Sequence, residues 1–215
     1  MSKFSDRLIE QIHMEDSAEL LNDYLTKRSG RNFELFQRKD NKPNEVTPSD
    51  LLAVSQLSMK IGGYQERDSI PESAVIKLFD KDPQKRLSRS LAKIKTNWRL
   101  ETIQFKDLES FNNEIEKLWS ILRDEVGLKG VATYKLMARK RPHLCPIRDK
   151  FATNALGHQK NWYTSWYSTL QSEFGVVGEL EELRRNCSAA RHLSLLRVAD
   201  IIIWERQKQK SENRD

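Results

Sequence analysis

Five consecutive residues, Gly127-Leu128-Lys129-Gly130-Val131, have the types and order to hold a phosphate. A helical pattern over 108–126 runs into them, and another over 131–140 leaves them at once. A connection that tight needs residues free to take positive φ, which glycine does without a Cβ penalty. The first N–H groups of the second helix have no carbonyl one turn back to bond, so they face outward at the positive end of the helix dipole. An anion binds there with little reorganisation. Lys129 and Lys135 would add charge, and contacts of this kind hold a sugar–phosphate strand without reading bases. The predicted backbone-binding set is Gly127, Lys129, Gly130, Val131 and Lys135.

A second candidate follows 22 residues after Gly127: Asp149, the only acid between Gly127 and Lys160. Eight basic residues share that window, Lys129, Lys135, Arg139, Lys140, Arg141, Arg148, Lys150 and Lys160, so it carries +7 of a chain total of +6. Another basic stretch, Lys85, Arg86, Arg89, Lys93, Lys95 and Arg99, contains no acid. Segregated positive charge suits a polyanion such as nucleic acid, although a solvated helix face has the same composition. Asp149 has a plain structural reading too, as a helix N-cap worth about 1 kcal/mol.

Large rings stand close by. Trp162, Tyr163, Trp166 and Tyr167 form two i,i+4 pairs, and Trp119 precedes the turn. Trp119, Trp162, Tyr163 and Trp166 are candidates for contact with an unstacked base, against an ordinary place in the core. Trp204 reads as core, Cys145 as a small buried residue, His143 as a surface loop residue, and Arg197 with Asp200 as a buried pair. No His/Cys cluster has metal-ligand spacing and no phosphate-binding loop of the nucleotide hydrolases is present, so neither metal nor cofactor is expected.

The elements that must position these residues read as helices. Of 215 residues, 38% are hydrophobic and 32% charged, with 8 Gly and 6 Pro, which disfavours an all-β chain. The two cysteines, Cys145 and Cys187, cannot build a disulfide framework. No apolar run spans a bilayer, and no apolar leader follows Met1, so a cytoplasmic location is expected. Apolar spacing predicts one helix from Phe4 to Leu25 and a strand or turn at 31–36. A loop follows at Asp40–Asn44. A helix capped by Thr47 then carries through Leu57, Met59 and Ile61 to Gly62-Gly63. Ser69 is expected to cap the next helix. Helices follow at 83–96, 108–126, 131–140 and 149–156, the last closed by Gly157. Asn161–Phe174, Gly178–Asn186 and His192–Gln209 complete the set, with a frayed tail over 208–215. The chain reads as a single all-α unit over 1–215, a helical bundle with a hairpin at 127–130. Two lobes, 1–105 and 106–210, with a cleft are the alternative.

The order of hairpin, short helix ending Arg139-Lys140-Arg141-Pro142, the step Pro146-Ile147-Arg148-Asp149, and a helix closed by Leu156-Gly157 resembles the helix-hairpin-helix (HhH-GPD) DNA glycosylase superfamily. The resemblance covers residues 108–160. Lys135–Pro142 and Leu195–Asp200 also look like an uncharacterised bacterial family of unassigned activity. In the superfamily the hairpin reads Gly-Val-Gly; here Gly127-Leu128-Lys129 stands in its place, with Gly130 one position on. The superfamily's catalytic Asp would be Asp149. The lysine of its lyase members would fall near Val131, and its four-cysteine iron–sulfur loop is absent.

The resemblance therefore implies a monofunctional DNA glycosylase. Asp149 would stabilise the oxocarbenium ion and orient water while the base is flipped from double-stranded DNA. Base excision in DNA repair and phage defence by excision from invading DNA are equally open. A monomer without cofactor or obligate protein partner is expected. The alternatives are a non-catalytic helix-hairpin-helix DNA-binding protein and, third, a basic surface that meets an acidic protein.

Overall fold

The computed structural model describes residues 3–36, 42–62, 69–172 and 174–213. The fold is all-α. Among the described residues are twelve α-helices and one two-residue pair of parallel strands, Lys60–Ile61 with Ser69–Ile70. The chain forms two compact units, Met1–Arg31 with Pro142–Asp215, and Asn32–Arg141. The division thus falls at 31/32 and 141/142 instead of near residue 105. Helices on the two sides of 105 pack on each other, and Ile94, Leu100 and Ile103 bury the link between them.

The first unit is built on α1 (Lys3–Ile12), α2 (Ser17–Lys27), α9 (Lys150–Leu156), α10 (Trp162–Ser172), α11 (Phe174–Asn186) and α12 (Leu195–Glu212). Helix α12 is its axis. Leu195, Leu196, Val198, Ala199, Ile201, Ile202 and Ile203 are all buried, and α2, α9 and α11 pack on it. Ser194 caps it, its side chain accepting from Arg197 N at 3.2 Å. Helix α12 runs four residues beyond the expected start of the frayed tail; Arg214 and Asp215 lie outside the described residues.

The single helix expected over Phe4–Leu25 is two. The chain breaks at 13–16, where Ser17 Oγ donates to Ile12 O at 2.8 Å. Arg206 of α12 takes up the loose ends, donating to Asp16 Oδ1 at 2.7 Å and Gln11 O at 3.1 Å. Burial lowers the pKa of Arg206, and the charge and hydrogen bond of Asp16 oppose that shift.

The second unit contains α3 (Asn32–Leu35), α4 (Pro48–Ser55), α5 (Glu72–Leu78), α6 (Lys81–Lys93), α7 (Phe105–Ser120) and α8 (Gly130–Lys140). Residues 31–36 are a short helical turn rather than a strand. Thr47 and Asp50 form a reciprocal capping box at the start of α4, with Pro48 in its first turn. Helix α4 stops at Ser55, however, and residues 60–61 pair as a strand. Ser69 is a buried strand residue, and Pro71 occupies the cap of α5. Asp40, Asn41 and Gly63 lie outside the described residues. Helix α7 buries Leu108, Phe111, Ile115 and Leu118, a stripe at three- and four-residue spacing, and packs on α6.

Candidate functional site

In the turn from α7 into α8, only Gly127, and not Gly130, takes a positive φ. Helix α7 widens into a π turn over Ile121–Glu125. Gly127 then takes φ +86°, and Leu128 N reaches back to Leu122 O at 2.8 Å. That left-handed step ends the π turn; a Cβ at residue 127 would meet no neighbour but would strain the backbone. Lys129 is extended, with φ −72° and ψ 154°, and occupies the cap position of α8 without capping it by its side chain. The first backbone bond of α8 runs from Thr133 N to Lys129 O at 3.0 Å. The N–H groups of Gly130, Val131 and Ala132 donate to no described residue. Gly127 is exposed, and Lys129, Gly130 and Val131 are half-buried. Lys129 Nζ is steadied by Ser69 Oγ at 3.1 Å.

Lys135 does not join that turn. It is buried, and its ammonium donates to Leu57 O at 2.7 Å, beyond the end of α4. The charge expected at a phosphate is spent on the carbonyl end of a neighbouring helix.

The cations at the end of α8 turn inward as well. Lys140 Nζ meets Asp50 Oδ2 at 2.8 Å and Lys42 O at 2.9 Å. Burial lowers the Lys140 pKa, and the bond and charge of Asp50 oppose that shift. Arg139 donates to Phe33 O at 2.8 Å and also bonds Phe36 O. Arg141 holds Ile94 O at 2.9 Å, Pro43 O at 2.6 Å, Asn44 Oδ1 at 2.8 Å and Leu91 O. Arg139-Lys140-Arg141 therefore clamps α3, residues 42–44 and the end of α6 within its unit. Asp50, which no charge count singles out, is the acid that makes this possible. Its sequence signal was the capping pattern beginning at Thr47.

Asp149 belongs to the other unit. It caps α9, its Oδ1 accepting from Ala152 N at 2.9 Å, and Gly157 closes that helix at φ +82°. Helix α9 buries Ala152 and Leu156 and packs on α1 and α12. Asp149 is half-buried, and its second carboxylate oxygen takes no hydrogen bond or ion pair from a described residue. The preceding Arg148 lies over the Trp162 ring, its guanidinium carbon 5.4 Å from the ring centre.

Trp162 and Trp166 leave the list of base contacts. They are 2% and 1% exposed and pack edge-on against Phe4 at 5.7 and 5.8 Å. Their rings fill the core of the first unit, and neither indole N–H finds a partner among the described residues. Tyr163 is half-buried on the same helix. Trp119, also half-buried, stacks edge-on with Tyr134 at 4.6 Å, with Arg123 over its ring. Trp204 is half-buried, edge-on to Tyr24 and Phe151, while Arg197 and Asp200 form the expected buried pair inside the first unit. Cys145 is buried and His143 half-buried.

Among the described residues no group of three or more His, Cys, Asp or Glu is placed to hold a metal ion. No described helix is long and apolar enough to cross a membrane. The class these observations define is an all-α protein with an open helix N-terminus at a glycine turn and a capping carboxylate on a separate unit. The chain belongs to a family of unknown function, DUF6308, which it matches over residues 17–207. Comparisons with curated proteins and with solved structures give no match.

Proposed function

We propose that this protein holds the backbone of double-stranded DNA on the 127–131 turn and acts as a monofunctional DNA glycosylase through Asp149. The observation that carries the reading is the unpaired amides of Gly130 and Val131, both half-buried, at a helix start that follows the glycine bend at 127. Such a site takes a phosphate oxygen without prior rearrangement. Asp149 supplies the chemistry. Its Oδ1 is fixed by Ala152 N, and its other oxygen is available to a water or to developing charge on a sugar.

In the proposed reaction the C1′–N bond breaks and its electron pair leaves with the base. Positive charge grows on the sugar and is stabilised by the carboxylate. The hydroxyl of water adds to C1′, and the remaining proton passes through Asp149 to the departing base. The target base must leave the stack first, at a cost of a few kcal/mol.

A second reading keeps the DNA contact and removes the catalysis. The Asp149–Ala152 bond favours it, because that bond alone gives the carboxylate a structural role. Two variants separate the readings. Asn caps a helix about as well as Asp, so Asp149→Asn retains folding and DNA affinity. On the glycosylase reading it abolishes alkali-labile site formation across duplexes carrying deaminated, alkylated, oxidised and glucosylated bases. If the wild type forms no such sites on any of these, the non-catalytic reading stands. Gly130→Pro removes one open amide at a position where proline suits the helix, after a residue already extended. It lowers duplex affinity about tenfold, roughly the worth of one charge-assisted hydrogen bond, without lowering thermal stability. Unchanged affinity would sink the turn as a phosphate site.

A further inference from the structure

Helix α6 carries a row of cations that the fold leaves unused. Lys81, Lys85 and Arg89 stand four residues apart, about 6 Å along the axis, and all three are exposed. Their side chains make no hydrogen bond, ion pair or ring contact with any described residue. Leu87, Ser90 and Leu91 occupy the opposite, buried face. The neighbouring cations are engaged. Arg86 grips Glu125 through two bonds of 2.5 and 2.7 Å, and Lys93 pairs with Glu114 at 3.2 Å. Asp80 and Asp82 are exposed near the start of the row, with Asp82 drawn toward Arg86 at 3.8 Å.

We propose that the outer ridge of α6, formed by Lys81, Lys85 and Arg89, is a second docking surface for the phosphate backbone of double-stranded DNA. Three features select this partner. The cations recur at an even interval, as phosphates do along a strand. On one flank of the row, Ser88 and Ala92, three residues beyond Lys85 and Arg89, are small and let a backbone lie close. A protein partner would need a large apolar or aromatic anchor at the centre of the patch, and the ridge has none. The Arg86–Glu125 pair also ties α6 to the π turn that leads into Gly127, within the same unit. The choice of DNA rests on the reading given above; the ridge itself rests on its own geometry.

The test measures binding of a short, lesion-free labelled duplex by fluorescence anisotropy between about 50 and 200 mM salt. Each phosphate contact contributes about 0.9 to the slope of log affinity against log salt, so Lys81→Gln/Lys85→Gln/Arg89→Gln lowers that slope by about 2–3. Its thermal unfolding stays at the wild-type temperature, because none of the three side chains supports the fold. A wild-type slope in the triple variant overturns the ridge, even where Gly130→Pro weakens binding. A reduced slope in the triple variant, with Gly130→Pro indifferent, upholds the ridge and removes the turn. Absence of duplex binding by the wild type overturns both.

Discussion

Two basic segments of the Asn32–Arg141 unit look alike in sequence and behave oppositely in the fold. At the end of α8, Arg139, Lys140 and Arg141 point their charges inward onto carbonyls and Asp50. On α6, Lys81, Lys85 and Arg89 point theirs into solvent. Charge density along a chain is therefore a poor measure of charge on a surface. What separates the two is the hydrophobic register. The buried face of α8 passes through Ala132, Leu136 and Met137 and carries Lys140 with it. That of α6 passes through Leu87 and Leu91, and places 81, 85 and 89 on the far side.

The sharpest way to break this contrast is to remove the acid beneath the buried cluster. Asp50→Ala leaves Lys140 buried and unpaired and opens the α4 capping box at once. A loss of about 3–5 kcal/mol is expected in urea unfolding. Asp50→Asn combined with Lys140→Met removes both charges and costs much less. A loss below about 1 kcal/mol for Asp50→Ala would mean the cluster does not clamp the unit.

Lys135 tests the contrast at a single residue. Lys135→Met keeps the length of the buried stem and loses the bond to Leu57 O. It should cost about 1–2 kcal/mol, because that carbonyl is left without its donor. The salt slope of duplex binding should stay where it was, since the ammonium faces α4. A slope lower by about one would put Lys135 on the DNA after all.

Much of the region around the turn was legible because its signals are local. Gly127 and Gly157 adopt the positive φ that their places suggest, α8 stops before Pro142, and Asp149 caps α9. The open amides of α8 follow from any helix that starts without a side-chain cap. What could not be read was set by partners distant in sequence. Apolar spacing runs on past Ser55, yet α4 ends there, and the freed Leu57 carbonyl is taken by a lysine 78 residues later. The break between α1 and α2 is repaired by Arg206, 190 residues beyond Asp16. The spacing of Trp162 and Trp166 fits a stacking platform and a core equally, and Phe4 decides for the core. Lys81, which no acid-free run includes, proved to share a ridge with Lys85 and Arg89.

Lys93 sets the finest distinction, because it sits on the open helix yet is engaged. Glu114 accepts from it at 3.2 Å and from Lys117 at 2.7 Å. Burial pushes the Glu114 carboxyl up, but hydrogen bonds from Lys117, Lys93 and Ser90 together hold it below its ordinary 4.5. A carboxyl whose pKa is depressed by folding adds stability above its unfolded value and loses it as pH falls through the folded one. Glu114→Gln should therefore be less stable than wild type at neutral pH, and the gap should close as pH falls below about 4. The gap should stay under about 1 kcal/mol, since the two lysines are 61% and 56% exposed and water screens them. A gap that persists unchanged into acid would show that Glu114 acts through packing alone. Lys93 would then count with the open cations of α6, and neutralising it would lower the salt slope as neutralising Lys85 does.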